Sequence, residues 1–162
     1  MSIKLEWTGP FKLVDGSREN LIYAIQDKGS IPNEPGVYVF SRVHGDTVEP
    51  LYIGKSMDVR ARIPQHLKNN VSLMKKMQNK KKTRSGDRVL YVGVLRDHQG
   101  MPADKAIEVA ERALINAAIV EGYKLLNQQG TKTPVYTIEA SGNAKARRWW
   151  VNQKTLEVPK KP

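Results

Sequence analysis

Two short runs of β-branched and aromatic residues, joined by a turn, constrain the fold of this chain more than any other feature. Residues 37–40 (Val-Tyr-Val-Phe) and 51–53 (Leu-Tyr-Ile) are typical of strands, and residues 44–46 (His-Gly-Asp) have turn composition. The pattern predicts an antiparallel hairpin. Such a hairpin would bring Tyr38 and Tyr52 together on one sheet.

The segment after the second strand has helical character and carries Arg62 and His66. Residues four apart lie on one face of a helix, so the guanidinium and the imidazole would be neighbours. Pro64 lies between them, and a proline inside a helix costs ~3 kcal/mol because it removes an amide donor and clashes with the preceding turn. A kink or a late helix start is therefore expected.

Residues 103–121 predict a long helix that points one carboxylate inward. Its apolar stripe consists of Ile107, Ala110, Leu114 and Ala118. Glu111 falls within this stripe, whereas Glu108 projects to the side as an ordinary surface charge. A buried carboxylate is normally paired with a cation or bound to a metal. On the helix alone, an internal salt bridge to an arginine is the favoured alternative for Glu111.

These segments together resemble the GIY-YIG nuclease superfamily. The first signature triplet reads Gly36-Val37-Tyr38, with valine in place of the usual isoleucine, and the second reads Tyr52-Ile53-Gly54 after a somewhat long gap. The resemblance covers roughly residues 35–128. Matched position by position, the resemblance identifies these residues of the chain as candidate site residues: Tyr38, Tyr52, Gly54, Lys55, Arg62, His66, Glu111 and Asn127.

The resemblance implies a metal-dependent DNA endonuclease. Glu111 would hold one Mg²⁺ (or Mn²⁺), which needs few protein carboxylates because it keeps waters and substrate phosphate as ligands. Arg62 would brace the phosphate oxygens with its planar fork. One tyrosine would accept the proton of the attacking water, and Tyr38 is favoured over Tyr52. His66 would orient the water or transfer protons. The supporting residues would be Gly54, Lys55 and Asn127.

The net charge of +11 is concentrated in two segments. Between residues 60 and 88 ten cations stand against one carboxylate, and from residue 140 to the end six stand against one. This segregation predicts a phosphate-facing surface, although a solvated helix with a basic tail is the alternative. The expected DNA contacts are Lys75, Lys76, Lys80, Lys81, Lys82, Arg84, Arg147 and Arg148.

The predicted fold is α+β, with a small, mostly antiparallel three-stranded central sheet flanked by helices. Residues 1–34 would be an N-terminal extension packed on the core, 35–128 the catalytic domain and 129–162 a basic C-terminal extension. Other predicted elements are a helix at 17–28, a basic helix at 71–79, a mobile loop at 80–86, a central strand at 88–95, and further strands at 135–138 and 148–158.

Several function classes are excluded or left open by composition. The chain has no cysteine, so disulfides and thiolate chemistry are excluded. No signal peptide and no apolar stretch of bilayer length is found, so we expect a cytoplasmic protein with no membrane partner and no small-molecule cofactor. Restriction or defence, DNA repair or recombination, and a non-catalytic DNA-binding module all remain open, as does the oligomeric state.

Overall fold

A mostly antiparallel sheet with helices on both faces makes up the part of the chain that the computed structural model describes, namely residues 2–127, 137–143, 145 and 155–157. Its strands are β1 (Ser2–Asp15), β2 (Tyr23–Ile25), β3 (Gly36–His44), β4 (Thr47–Ser56), β5 (Asp87–Asp97), β6 (Thr137–Gly142) and β7 (Thr155–Glu157). Its helices are α1 (Val59–Asn69), α2 (Val71–Gln78), α3 (Lys80–Thr83) and α4 (Ala103–Val120).

The strand order is β4-β3-β5-β1-β6-β7, and β2 pairs with the far end of β1. The β1–β6 pair is parallel, whereas the other described pairs are antiparallel. The α+β class and the central position of the strand predicted at 88–95 are confirmed. The sheet is larger than the three strands expected, because the N-terminal segment contributes β1 directly beside β5.

Strand β3 is buried on both faces, which fixes where the helices must pack. Every residue from 36 to 42 is buried. Val37 and Val39 face one core cluster, which α4 covers, while Tyr38 and Phe40 face a second cluster, covered by α1 and α2. Successive side chains of a strand point to opposite faces, so a nearly continuous apolar run requires cover on both sides.

Helix α1 begins at Val59 and runs through Pro64, so the prediction of a late start is wrong. The Asp58 side chain caps its first turn. The amides of Val59 and Arg60 donate to carbonyls of the loop 31–35, at 3.3 and 3.0 Å. These contacts satisfy amides that a helix start leaves unpaired, and they stabilise the turn that precedes the proline.

The prediction of a helix at residues 17–28 is wrong. This segment instead contains two 3-10 turns, at Ser17–Glu19 and Lys28–Ser30, with β2 between them. The Ser17 amide donates a hydrogen bond to the Asp15 carboxylate at 3.0 Å, and the backbone of Asn20 adopts a left-handed conformation. Pairing of β2 with β1 overrides the apolar spacing that resembles a helical stripe.

The basic helix at 71–79 is confirmed as α2, and the long helix as α4. Residues 80–86, predicted as a mobile loop, instead form α3 and an anchored turn. Arg88, only 5% exposed, is the anchor. Its guanidinium donates to the carbonyls of Met77, Arg84 and Gly86 and to the Thr83 hydroxyl, at 2.6–2.9 Å.

The strands predicted at 135–138 and 148–158 lie partly outside the described residues; β6 and β7 overlap them at residues 137–138 and 155–157. No helix in the described part of the chain is long and apolar enough to cross a membrane.

Replacing Arg88 with methionine should destabilise the protein by about 2–4 kcal/mol, because it removes four hydrogen bonds to acceptors that are buried or partly buried. Urea unfolding measures this change. Arg96→Met is the matched control: Arg96 is exposed and ion-paired with Glu6 and Glu34 at 2.9 and 2.8 Å, so its loss should cost less than about 1 kcal/mol. Equal effects of the two substitutions would contradict the anchoring role of Arg88.

Candidate active site

Three aromatic rings meet where β3, β4 and α1 pack together. Tyr38 on β3 lies opposite Gly54 on β4, and Phe40 lies opposite Tyr52. The Tyr38 and Tyr52 rings are stacked, with centroids 6.5 Å apart. The His66 ring on α1 lies 5.7 Å from Tyr38 and 5.1 Å from Tyr52. The hairpin and the helix thus bring Tyr38, Tyr52 and His66 together, as predicted.

Gly54 is required by the close approach of the Tyr38 ring. A Cβ atom at position 54 would lie 2.5 Å from the Tyr38 hydroxyl oxygen and closer still to the ring. Any other residue would therefore push the ring away from β4. The lack of a Cβ atom at position 54 therefore allows the Tyr38 ring to pack against β4.

The two phenols differ in exposure. Tyr38 is 2% exposed, and its pKa is raised to about 12 by burial first and by the neighbouring Tyr52 second. A hydrogen bond with Arg62 opposes this rise. Tyr52 is partly exposed, and its pKa is raised by burial and then by the charge of Glu111. Both phenols are therefore neutral at pH 7 in the substrate-free protein.

His66 is 2% exposed, and its Nε2 atom has no hydrogen-bond partner among the described residues. Its pKa is lowered from 6.5 to about 4, by burial first and by the charge of Arg62 second. The imidazole is therefore neutral at physiological pH. Arg62 itself is exposed, one turn earlier on α1. The predicted proximity of the guanidinium to the imidazole is thus present.

Glu111 lies on the inward side of α4 and is half-buried, as the stripe predicts. Burial raises the pKa of this carboxyl, and the nearby Lys55 opposes the rise. Within the described part of the chain, Glu111 forms neither an ion pair nor a side-chain hydrogen bond. The alternative of an internal salt bridge to an arginine is therefore not found among these residues.

Glu108 behaves as the surface charge that the helix geometry predicts. It pairs with Arg112 at 2.6 Å and lies 3.9 Å from Lys105. The two glutamates on α4 are thus distinguished by their partners. Glu108 is paired with cations of its own helix, whereas Glu111 has no ion pair among the described residues and raises the pKa of Tyr52.

A divalent cation would have one protein carboxylate here. The described residues contain no group of three or more His, Cys, Asp or Glu side chains that could hold a metal. Glu111 fits a Mg²⁺ ion that is otherwise ligated by water and phosphate, because its carboxylate is half-buried and forms no ion pair or side-chain hydrogen bond with any residue that the structure describes. Lys55, exposed on β4, lies near enough to stabilise the ionised carboxylate.

Asn127 fixes the strand that carries Tyr52 and Gly54. Its side-chain nitrogen donates a hydrogen bond to the backbone carbonyl of Ile53 at 2.7 Å. Its side-chain oxygen accepts a hydrogen bond from the backbone amide of Ile53 at 3.1 Å. The Leu126 amide donates to the Leu51 carbonyl at 2.7 Å. The Asn127 side chain thus forms hydrogen bonds along β4 as a further backbone peptide group would.

The cations predicted to contact DNA are exposed on α2, α3 and the following turn; they are Lys75, Lys76, Lys80, Lys81, Lys82 and Arg84. Arg147 and Arg148 lie outside the described residues. The sequence analysis counted Arg88 as one more surface charge. Arg88 stands at the start of an otherwise apolar strand, and this position in the sequence indicates that its side chain is buried.

Comparisons with known proteins give one local similarity. UvrABC system protein C of Haloarcula marismortui is 36% identical to this chain over 55 residues, which are 34% of this chain and 10% of that protein. The chain therefore spans about a tenth of the length of this relative. No protein-family model matches the chain, and no solved structure matches it.

The lowered pKa of His66 predicts a pH-dependent loss of stability. Between pH 6.5 and about 4 the unfolded chain binds a proton that the folded protein excludes, so the free energy of unfolding should fall as pH falls through this window. The loss should reach about 3 kcal/mol relative to His66→Phe, which cannot titrate. Denaturant unfolding at pH 4 to 7 measures it.

His44→Phe is the control for this experiment, because His44 is exposed at the end of β3. This variant should follow the pH dependence of the unsubstituted protein. If His66→Phe also followed it, the imidazole would not be buried in its neutral form.

Proposed function

We propose that this protein is a metal-dependent DNA endonuclease that hydrolyses phosphodiester bonds with one cation and a tyrosine. The observation that carries the proposal is the half-buried Glu111 carboxylate, which has no ion pair among the described residues and whose charge acts on both phenols, as does the charge of Arg62. The GIY-YIG-like triplets and the local match to UvrABC system protein C support it. The proposed catalytic set lies entirely within residues 35–128.

Arg62 binds the substrate phosphate in this mechanism. Its guanidinium is exposed, so it can reach an anionic substrate, and it lies close enough to Tyr38 to lower the pKa of that phenol. A planar guanidinium can hold two phosphate oxygens at once. Lys55 adds a second exposed cation on β4.

Glu111 is the proposed ligand of Mg²⁺ or Mn²⁺. When bound, the cation offsets the negative charge that develops on the phosphate and on the leaving oxygen. The chain's contribution is to hold the carboxylate on α4, partly shielded from water, while the nearby Arg112 is paired with Glu108.

A phenol is the proposed general base. Tyr38 is favoured because Arg62 opposes the rise in its pKa. To accept the proton of the attacking water, the Tyr38 hydroxyl must first lose its own proton, which the neutral His66 ring beside it would take. Tyr52, which is the more exposed phenol, would hydrogen-bond the attacking water or the phosphate. Neutral His66 beside both rings would orient the water or transfer the proton onward.

Glu111→Gln should abolish cleavage while leaving the fold and DNA affinity unchanged, because an amide is nearly isosteric but a much poorer ligand for Mg²⁺. Glu108→Gln, on the same helix, should retain nearly full activity. Cleavage of linear, nicked, forked and single-stranded DNA in the presence of Mg²⁺ provides the measurement. A Glu111→Gln protein that cuts at the normal rate would assign the carboxylate a structural role. A protein that binds DNA and cuts none of these substrates would be the non-catalytic module.

Tyr38→Phe should reduce turnover by orders of magnitude, and by more than Tyr52→Phe does. The first substitution removes both the favoured base and its hydrogen bond with Arg62, whereas the second removes one partly exposed hydroxyl. Single-turnover cleavage together with binding affinity separates turnover from binding. The reverse ranking would exchange the roles of the tyrosines, and equal losses of affinity and rate would argue against catalysis by either.

A further inference from the structure

Two buried arginines lock the turn that follows α3. Arg88 donates to the carbonyls of Arg84 and Gly86 at 2.6 and 2.9 Å, and Arg42 donates to the carbonyl of Ser85 at 2.7 Å. Three successive carbonyls therefore point inward, each to a guanidinium. Arg42 and Arg88 lie opposite each other on β3 and β5 and are 6% and 5% exposed. The turn is thus attached to the centre of the sheet.

Arg84 occupies a backbone conformation that suits glycine. Its φ is +64° and its ψ is 175°, a combination in which a side chain is strained. The side chain is exposed, and within the described part of the chain its guanidinium forms no hydrogen bond or ion pair. No contact inside the described fold therefore accounts for an arginine where glycine would fit without strain.

The neighbours of Arg84 indicate what its side chain contacts. Five exposed lysines on α2 and α3 precede it, namely Lys75, Lys76, Lys80, Lys81 and Lys82. Residues 71–88 include no aromatic side chain on which a base could stack. The surface therefore suits phosphate groups better than unpaired bases.

We propose that Arg84 is the fixed cationic contact through which this surface holds the phosphate backbone of a nucleic-acid duplex. Lysines on flexible side chains act as adaptable point charges, whereas Arg84 has a planar fork on a locked backbone. It therefore sets where the duplex lies against the protein. The proposal rests on the proposed nuclease function only in taking nucleic acid as the partner.

The test is Arg84→Gly, assayed for stability and for binding of a short duplex DNA without divalent cations. Relief of backbone strain should raise Tm by about 2–4 °C. Loss of one phosphate contact should weaken binding about tenfold at 0.1 M salt and reduce the log–log salt slope by ~0.9. A purely structural residue would not change stability and affinity in opposite directions.

Lys82→Gly is the matched control, because it removes a neighbouring cation from the helical backbone of α3. Its Tm should fall, since glycine weakens a helix. If the Arg84→Gly protein bound duplex DNA with unchanged affinity, or if its Tm fell, the proposal for Arg84 would be overturned and the nuclease function would not be affected. Failure of the unsubstituted protein to bind any duplex would overturn this proposal, and the nuclease function would then have to act on the single-stranded substrate. Normal binding without cleavage would overturn the nuclease function and leave the proposal for Arg84 standing.

Discussion

The burial of β3 on both faces is the constraint on which the rest of the structure depends. A strand that lies between two others and carries large side chains on each face can be stable only if helices cover both sides. The helix α4 covers one face, and α1 and α2 cover the other. Tyr38 belongs to this strand, so its hydroxyl is withdrawn from water by the same packing that stabilises the core.

The candidate site combines groups from both faces of the sheet near β4. Arg62 and His66 come from α1 on one face, and Glu111 comes from α4 on the other. Burial raises the pKa values of Tyr38 and Glu111 and lowers that of His66, so in each case it favours the neutral form. Arg62 and Lys55 remain exposed as cations. An anionic substrate would thus meet two exposed cations beside neutral phenols and a neutral imidazole.

Local patterns predicted the elements whose determinants are close together in the sequence. The hairpin depends on two adjacent runs, and the inward direction of Glu111 depends on the period of one helix. Features that depend on partners distant in the sequence were not predicted. The segment at 17–28 pairs with β1 instead of forming a helix, and residues 80–86 are anchored by the buried Arg88. Helical spacing and charge content carry no information about either partner, and the roles of the site residues remain predictions.

The contact of Asn127 with Ile53 also affects how the protein avoids self-association. In the described part of the sheet, β4 has a neighbouring strand on one side only. An open strand edge is a template on which another chain can add by backbone pairing. The Asn127 side chain forms hydrogen bonds with the backbone N–H and C=O groups of Ile53. The backbone amide of Leu126 donates to the Leu51 carbonyl. The segment that holds Tyr52 and Gly54 in place therefore also blocks edge-to-edge aggregation at this strand.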